Sequence, residues 1–228
     1  MGGSVEPPAD RCAPMMSTES DDDANRGVDS PSDAPEDRPA RDVVIIFAVF
    51  FEGGLAPLSL FLGWLLSRNP LEHFAWNPLD AGLGVVAAMP LLALFIAMLR
   101  WPIGPLSRVR KFCDVEVAPL FSHRSWSELA LISVAAGVGE EMLFRGVAQA
   151  SLAGWLGTTW GLTLASLLFG LFHPISMTYM VLAAIMGFYL GALSISNGNL
   201  LTVMIAHAVY DLAALGYLVK FHTADPRP

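Results

Sequence analysis

Residues 127–150 read SELALISVAAGVGEEMLFRGVAQA. The stretch is long enough to cross a bilayer, whose hydrocarbon core of about 30 Å takes about 20 helical residues. Its second half nevertheless holds Glu140, Glu141 and Arg145. Charges inside a membrane span are costly, so those that remain are candidates for function. Glu141 and Arg145 stand four apart with the acid N-terminal to the base, the better orientation for a helical ion pair. Glu140 is turned by about 100° from Glu141 in an ideal helix. The spacing therefore predicts Glu141–Arg145 as a structural pair and Glu140 as a free carboxylate aimed at another neighbour. A packing network that uses all three charges is the alternative.

Five more apolar segments surround this one, at about residues 43–67, 81–100, 157–173, 177–196 and 200–220. Asn69-Pro70 and Asn77-Pro78 close the first loop, His173-Pro174 ends the fourth segment, and Asn197-Gly198-Asn199 turns the chain before the sixth. Pro57 and Pro90 fall inside segments, where they should kink the helices. All six tryptophans (64, 76, 101, 126, 155 and 160) lie near segment ends, as an interfacial belt requires. The expected fold is all-α, a polytopic membrane helix bundle of about six transmembrane helices.

Composition agrees. Of the 228 residues, 54% are hydrophobic and only 15% charged, with a mean hydropathy of +0.52. The net charge of −8 sits almost wholly in residues 1–42, which carry eleven acids and four arginines. The remaining ten acids and nine bases leave a nearly neutral body without the basic face that a nucleic-acid-binding protein needs. Residues 1–42 are rich in Pro, Ser and Asp and are expected to form a disordered acidic tail. The tail lacks the basic start and apolar core of a signal peptide, and Glu6 stands where a myristoylation signal wants Ser or Thr. Residues 43–126 then hold two spans and a loop, and residues 127–220 the polar-bearing core. Two cysteines, Cys12 and Cys113, provide neither a disulfide framework nor metal-type spacing.

The bases fix an expected orientation. Arg26, Arg38 and Arg41 precede the first span; Arg100, Arg108, Arg110, Lys111 and Arg124 flank the loop after the second; Lys220 and Arg227 follow the sixth. With six spans all three groups fall on one face, opposed only by Arg68, so both termini are expected on the cytosolic side of the cell membrane. The segment 102–123 mixes bases with apolar residues and reads either as an amphipathic helix on the inner leaflet or as an ordered loop.

Two later segments carry histidines beside acids or aromatics. Phe169-Gly170-Leu171-Phe172-His173 ends the fourth, and His207-Ala208-Val209-Tyr210-Asp211 lies in the sixth, where His207 and Asp211 share a face. The other histidines, His73, His123 and His222, fall in loops or flanks. These residues and the 140–145 cluster together make a polar centre that a membrane would otherwise reject.

In this order the motifs Glu140-Glu141-x-x-x-Arg145, Phe169-x-x-x-His173 and His207-x-x-x-Asp211 resemble the CAAX-protease-and-bacteriocin-processing family of intramembrane proteases, also called type II CAAX prenyl endopeptidases or Abi proteins. The resemblance covers about residues 127–218 and leaves out the tail and the first two spans. It implies an intramembrane endopeptidase in which Glu140 and His173 activate a water that attacks a peptide carbonyl. His207 and Asp211 would stabilise the oxyanion, while Glu141, Arg145 and Phe169 support the site. General chemistry accords with this assignment, because carboxylates and histidines serve as general bases and an oxyanion needs donors held in a water-poor site. Where the family pattern allows Asn or Asp, this chain has Asp211. An ionised Asp only accepts hydrogen bonds, so it is either protonated or orients His207 and holds it as imidazolium.

The implied partners are a membrane-associated or prenylated-like peptide or protein reached from the membrane or cytosol, and the bilayer itself, with no nucleic acid. No cofactor is expected. Two His and two Glu could ligate zinc, but HExxH is absent and the ion pair engages Glu141. A non-catalytic immunity or scaffolding protein of the same fold is the alternative, and a transporter lacks support because the halves show no inverted repeat. Ala183, Gly187 and Gly191 form a small-residue stripe for close helix contact. Glu52, inside the first span, either meets the polar centre or plays a structural role. Finally, Ser125-x-x-Glu128 is a capping box. It puts Glu140 roughly 20 Å along its helix by helical rise, so Glu140 and His173 meet only if the third helix protrudes or the fourth is short and recessed.

Overall fold

The structure, a computed structural model, describes residue 2 and residues 38–222 except 123. The acidic tail through residue 37, Cys12 and His123 lie outside the described residues, apart from Gly2. The first helix, α1, is Arg38–Leu65, so helix begins five residues before the expected start of the first span. It is followed by α2, Pro78–Arg100, capped by the Asn77 side chain on Leu79 N. The loop 102–123 is mostly helical. It holds α3, Leu106–Phe112, a wider π turn at Cys113–Val117, and α4, Ala118–Phe121.

The third apolar segment opens at α5, Trp126–Glu141, on the expected capping box, since the Ser125 side chain accepts from Glu128 N and Glu128 accepts from Ser125 N. The helix continues past Glu141 as a π-wound stretch, Met142–Gln149, and ends in α6, Ala150–Leu156. Gly157, at φ +86°, stops α6 and opens α7, Thr158–Leu171. The last two helices are α8, Met177–Asn197, and α9, Leu200–Tyr217, the latter extended by a π turn at Leu218–His222. Gly198 turns between them at φ +71°. Asn199 caps α9 through Leu201 N while binding both the N–H and the carbonyl of Ala75, which pins the loop before α2 to the α8–α9 turn.

Among the described residues four helices are long and apolar enough to cross a membrane: Ile45–Leu65, Pro78–Arg100, Met177–Asn197 and Leu200–Phe221. The other two of the six expected segments are helical but differ from a plain span. The rod over 126–156 is interrupted by π winding and carries buried charge. At 14 residues α7 reaches only about 21 Å, the short fourth helix that one of the two expected geometries demands. All six tryptophans are exposed, at least half of each surface, as belt residues would be. The protein is an all-helical integral membrane protein.

Packing is organised around α9, which lies between α2 and α5, while α5 also packs on α1 and α7 on α8. Glycines set the closest approaches. Gly137 admits the backbone of α9 at Met204 and Ala208, and two residues later Gly139 admits the Glu52 carbonyl of α1. Small residues let helix backbones meet in a membrane, where apolar side chains gain little by leaving lipid. These two glycines bring α9 and α1 against α5 just ahead of Glu140.

Candidate active site

The last two residues of α5 point into different surroundings. Glu141 is fully buried, and its Oε1 accepts from Arg145 Nη1 at 2.9 Å and from His207 Nδ1 at 2.8 Å. Arg145 Nη2 donates to the Gly187 carbonyl on α8 at 2.9 Å, and its guanidinium lies 4.8 Å from the centre of the Phe169 ring. One ion pair thus ties α5, α7, α8 and α9 together. Gly187 of the small-residue stripe thus offers its carbonyl to the pair, and one register further along Gly191 O accepts from Gln149 Nε2 at 3.2 Å.

Glu140, 7% exposed, faces the other way. Its Oε2 lies 3.9 Å from His173 Nε2 and accepts no hydrogen bond from a described residue. His173 is held from behind, because its Nδ1 is 2.7 Å from the Phe169 carbonyl. A carbonyl only accepts, so Nδ1 donates to it and Nε2 is the nitrogen turned toward Glu140. This contact explains the four-residue spacing of Phe169 and His173. The Phe169 ring meanwhile packs edge-on to Phe144, with centroids 4.9 Å apart, and braces His173 at 4.8 Å. His207 completes the arrangement on α9, with Nε2 3.4 Å from Asp211 Oδ2.

Glu140, His173, His207 and Asp211 open onto one cavity of about 580 Å³. The structure therefore brings together every residue singled out in the sequence, with Glu141, Arg145 and Phe169 immediately behind. It also adds two tyrosines to the wall and brings Glu52, left with two readings in the sequence, to the polar centre. Glu52 reaches in from α1, and Tyr179 and Tyr210 from α8 and α9. The sequence marked Glu52 as a charge inside a span but not its neighbour on α5, and nothing in it marked the tyrosines. The rest of the wall is apolar and comes largely from α2 and from residues 106–117, among them Phe95, Met98, Leu106, Val109, Phe112 and Cys113. Burial pushes the Cys113 thiol up to about 11, so it stays an unreactive wall residue.

The zinc alternative asks two histidines and two glutamates to converge. Here they divide into two pairs: His207 binds Glu141, and His173 faces Glu140. Among the described residues no group of three or more His, Cys, Asp or Glu side chains is arranged to hold a metal ion.

A short apolar helix, a buried Glu–Arg–His tie and a second glutamate opposite a histidine thus surround one largely apolar cavity. Residues 122–213 match the model of the type II CAAX prenyl endopeptidase Rce1-like family, a family of proteases. The match opens just before α5 and ends within α9, taking in all three motifs and leaving out α1 and α2. No curated protein and no solved structure is significantly similar to the chain.

Proposed function

We propose that the protein is an intramembrane endopeptidase of the cell membrane, both termini cytosolic, that hydrolyses a peptide bond in a membrane-associated or prenylated-like peptide or protein. One observation carries this reading. Glu140 and His173 face each other at 3.9 Å across a cavity, too far to bond directly and right for one shared water, while the adjacent Glu141 is fully engaged. In the reaction Glu140 takes a proton from the water as the oxygen adds to the carbonyl carbon. The proton passes to the leaving nitrogen as the C–N bond breaks. His207, with a carboxylate at each ring nitrogen, is held as a positive donor for the oxyanion, and its long 3.4 Å approach to Asp211 leaves the Nε2 proton free to reach the carbonyl oxygen. The apolar wall from α2 and residues 106–117 suits a substrate that brings its own hydrocarbon. The mechanism needs no metal.

Glu140→Gln tests the proposal. Removing a general base costs about 10²–10⁴-fold in rate, so the variant should insert and melt like the wild type while its cleavage products vanish and uncleaved membrane peptides accumulate. Wild-type activity should persist in strong chelators. Identical peptide pools in wild type and variant would leave the non-catalytic immunity or scaffolding reading. Activity that chelators remove and zinc restores would replace the glutamate mechanism with a metal-hydroxide one.

A further inference from the structure

Glu52 is the only ionisable residue in 43–67, on a helix that turns Phe47, Phe50 and Phe51 outward with more than half of each surface exposed. A carboxyl on such a helix belongs in water unless something inside receives it. The matched family segment starts at residue 122, so nothing in that match bears on α1. The packing does. Gly139 leaves no room for a Cβ against the Glu52 carbonyl, which brings this turn of α1 onto the end of α5. The Glu52 side chain then lines the same cavity as the Glu140 carboxyl, one residue along α5 from the point of backbone contact.

Both carboxyls have one oxygen, Oε2, that is fully buried and accepts no hydrogen bond from any described residue. The other groups around Glu52 are His207 and Asp211 of α9, with His173 of α7 and Tyr179 of α8 on the same cavity wall. Arg145, on the stretch that α1 also packs against, is spent on Glu141 and Gly187. His207, held positive in the reading above, is likewise committed to Glu141 and Asp211, so neither cation is hydrogen-bonded to the two acids. Two ionised carboxylates side by side in an apolar cavity repel, and each would keep an unsatisfied buried oxygen. A single proton between them removes both problems.

We propose that Glu52 is a positioning residue of the reaction: its carboxyl holds a proton and donates it as a hydrogen bond to Glu140, fixing that carboxylate toward His173. The inference rests on the endopeptidase reading above. Glu52 keeps its proton through the cycle. The proton taken from water still passes from Glu140 to the leaving nitrogen, so the hydrolysis balances without Glu52 being consumed.

Variants of the full-length protein in lipid vesicles, assayed with a quenched-fluorescent prenylated CAAX-type peptide, separate the roles. Glu52→Gln keeps an N–H donor and should hold kcat within about threefold, while Glu52→Leu has no donor and should lose about tenfold or more in kcat, with KM within about twofold in both. Infrared spectra of the purified protein near neutral pH give a readout independent of activity and of the leucine variant's folding. A protonated-carboxyl band should be present in the wild type, lost in Glu52→Gln, and kept on changing the exposed Glu72 to Gln. Wild-type kcat in Glu52→Leu, a Glu52→Gln protein as dead as Glu140→Gln, or no such band would each overturn the proposal. A wild type that cleaves nothing would instead count against the endopeptidase reading, and the infrared band would still decide whether Glu52 carries the proton.

Discussion

Glu140 and Glu141 are adjacent in the chain and opposite in setting. The Glu141 side is closed: one carboxylate oxygen takes donors from Arg145 and His207, and Arg145 goes on to a carbonyl of α8 and the face of Phe169. The Glu140 side is open. That carboxylate meets His173 at 3.9 Å and Glu52 across a cavity, with a buried oxygen that no described donor serves. A rotation of about 100° per residue is all that separates them. The difference teaches that a pair of acids in a membrane helix can be divided between two settings, one holding helices together and one left open to a cavity, and that the first makes the second tolerable. A carboxylate can stay under-satisfied only where its surroundings cannot rearrange to relieve it, and the Glu141–Arg145–His207 tie supplies that rigidity.

The comparison breaks first at Arg145. Arg145→Ala leaves Glu141 buried with one donor fewer and removes the link to α8 and Phe169, and breaking such a buried pair costs about 3–5 kcal/mol. The variant should express poorly and unfold at markedly lower denaturant or temperature, losing activity as a consequence. A well-expressed Arg145→Ala protein with wild-type thermal stability would mean that the closed side does not hold the bundle.

A smaller effect belongs to the open side. A methyl group at Gly139 would collide with the Glu52 carbonyl and press on Leu55 Cβ at 3.0 Å. Overpacking of this kind costs about 1–3 kcal/mol. Gly139→Ala should therefore lower thermal stability moderately and reduce kcat by more than the folded fraction explains, because α1 carries Glu52 away from Glu140. Unchanged stability and kcat would show that α1 does not need to sit this close.

The two sides also differ in how far the sequence revealed them. Glu141–Arg145, Phe169–His173 and His207–Asp211 are each four apart on helices, and local periodicity is what a sequence displays most directly. The π winding of 142–149 was invisible, since i→i+5 hydrogen bonds have no residue signature and wide turns tend to appear at functional sites. Glu52 was visible as a misplaced charge, yet its partner lies 88 positions on and is set by how α1 crosses α5. The apolar cavity wall was hidden for a similar reason: residues 106–117 read as a loop or surface helix, and their facing α2 and α9 is tertiary information. The depth argument left two geometries open, and a short fourth helix was one of them, because a capping box and a helical rise place one end of a rod in space.

The finest test concerns Asp211, which lies where the closed side meets the cavity. It faces His207 Nε2 at 3.4 Å while Glu141 holds Nδ1 at 2.8 Å. Asp211→Asn has two opposing consequences. It withdraws a negative charge beside the His207 ring, which would weaken His207 in its proposed role as oxyanion donor. It also introduces an amide N–H that can itself donate to the oxyanion, which an ionised Asp cannot do. The shapes are nearly the same, and Glu141 still anchors the ring, so packing should not change. The two effects should leave kcat within about tenfold of wild type, about 1.4 kcal/mol in barrier, with thermal stability unaltered. Asp211→Ala, which loses the charge and gains no donor, should be the slower of the two. An Asn variant as inactive as Glu140→Gln would mean that the Asp211 carboxylate takes part in the proton transfers itself. It would then belong with Glu140 among the reactive groups rather than with Glu141 among those that hold the site in place.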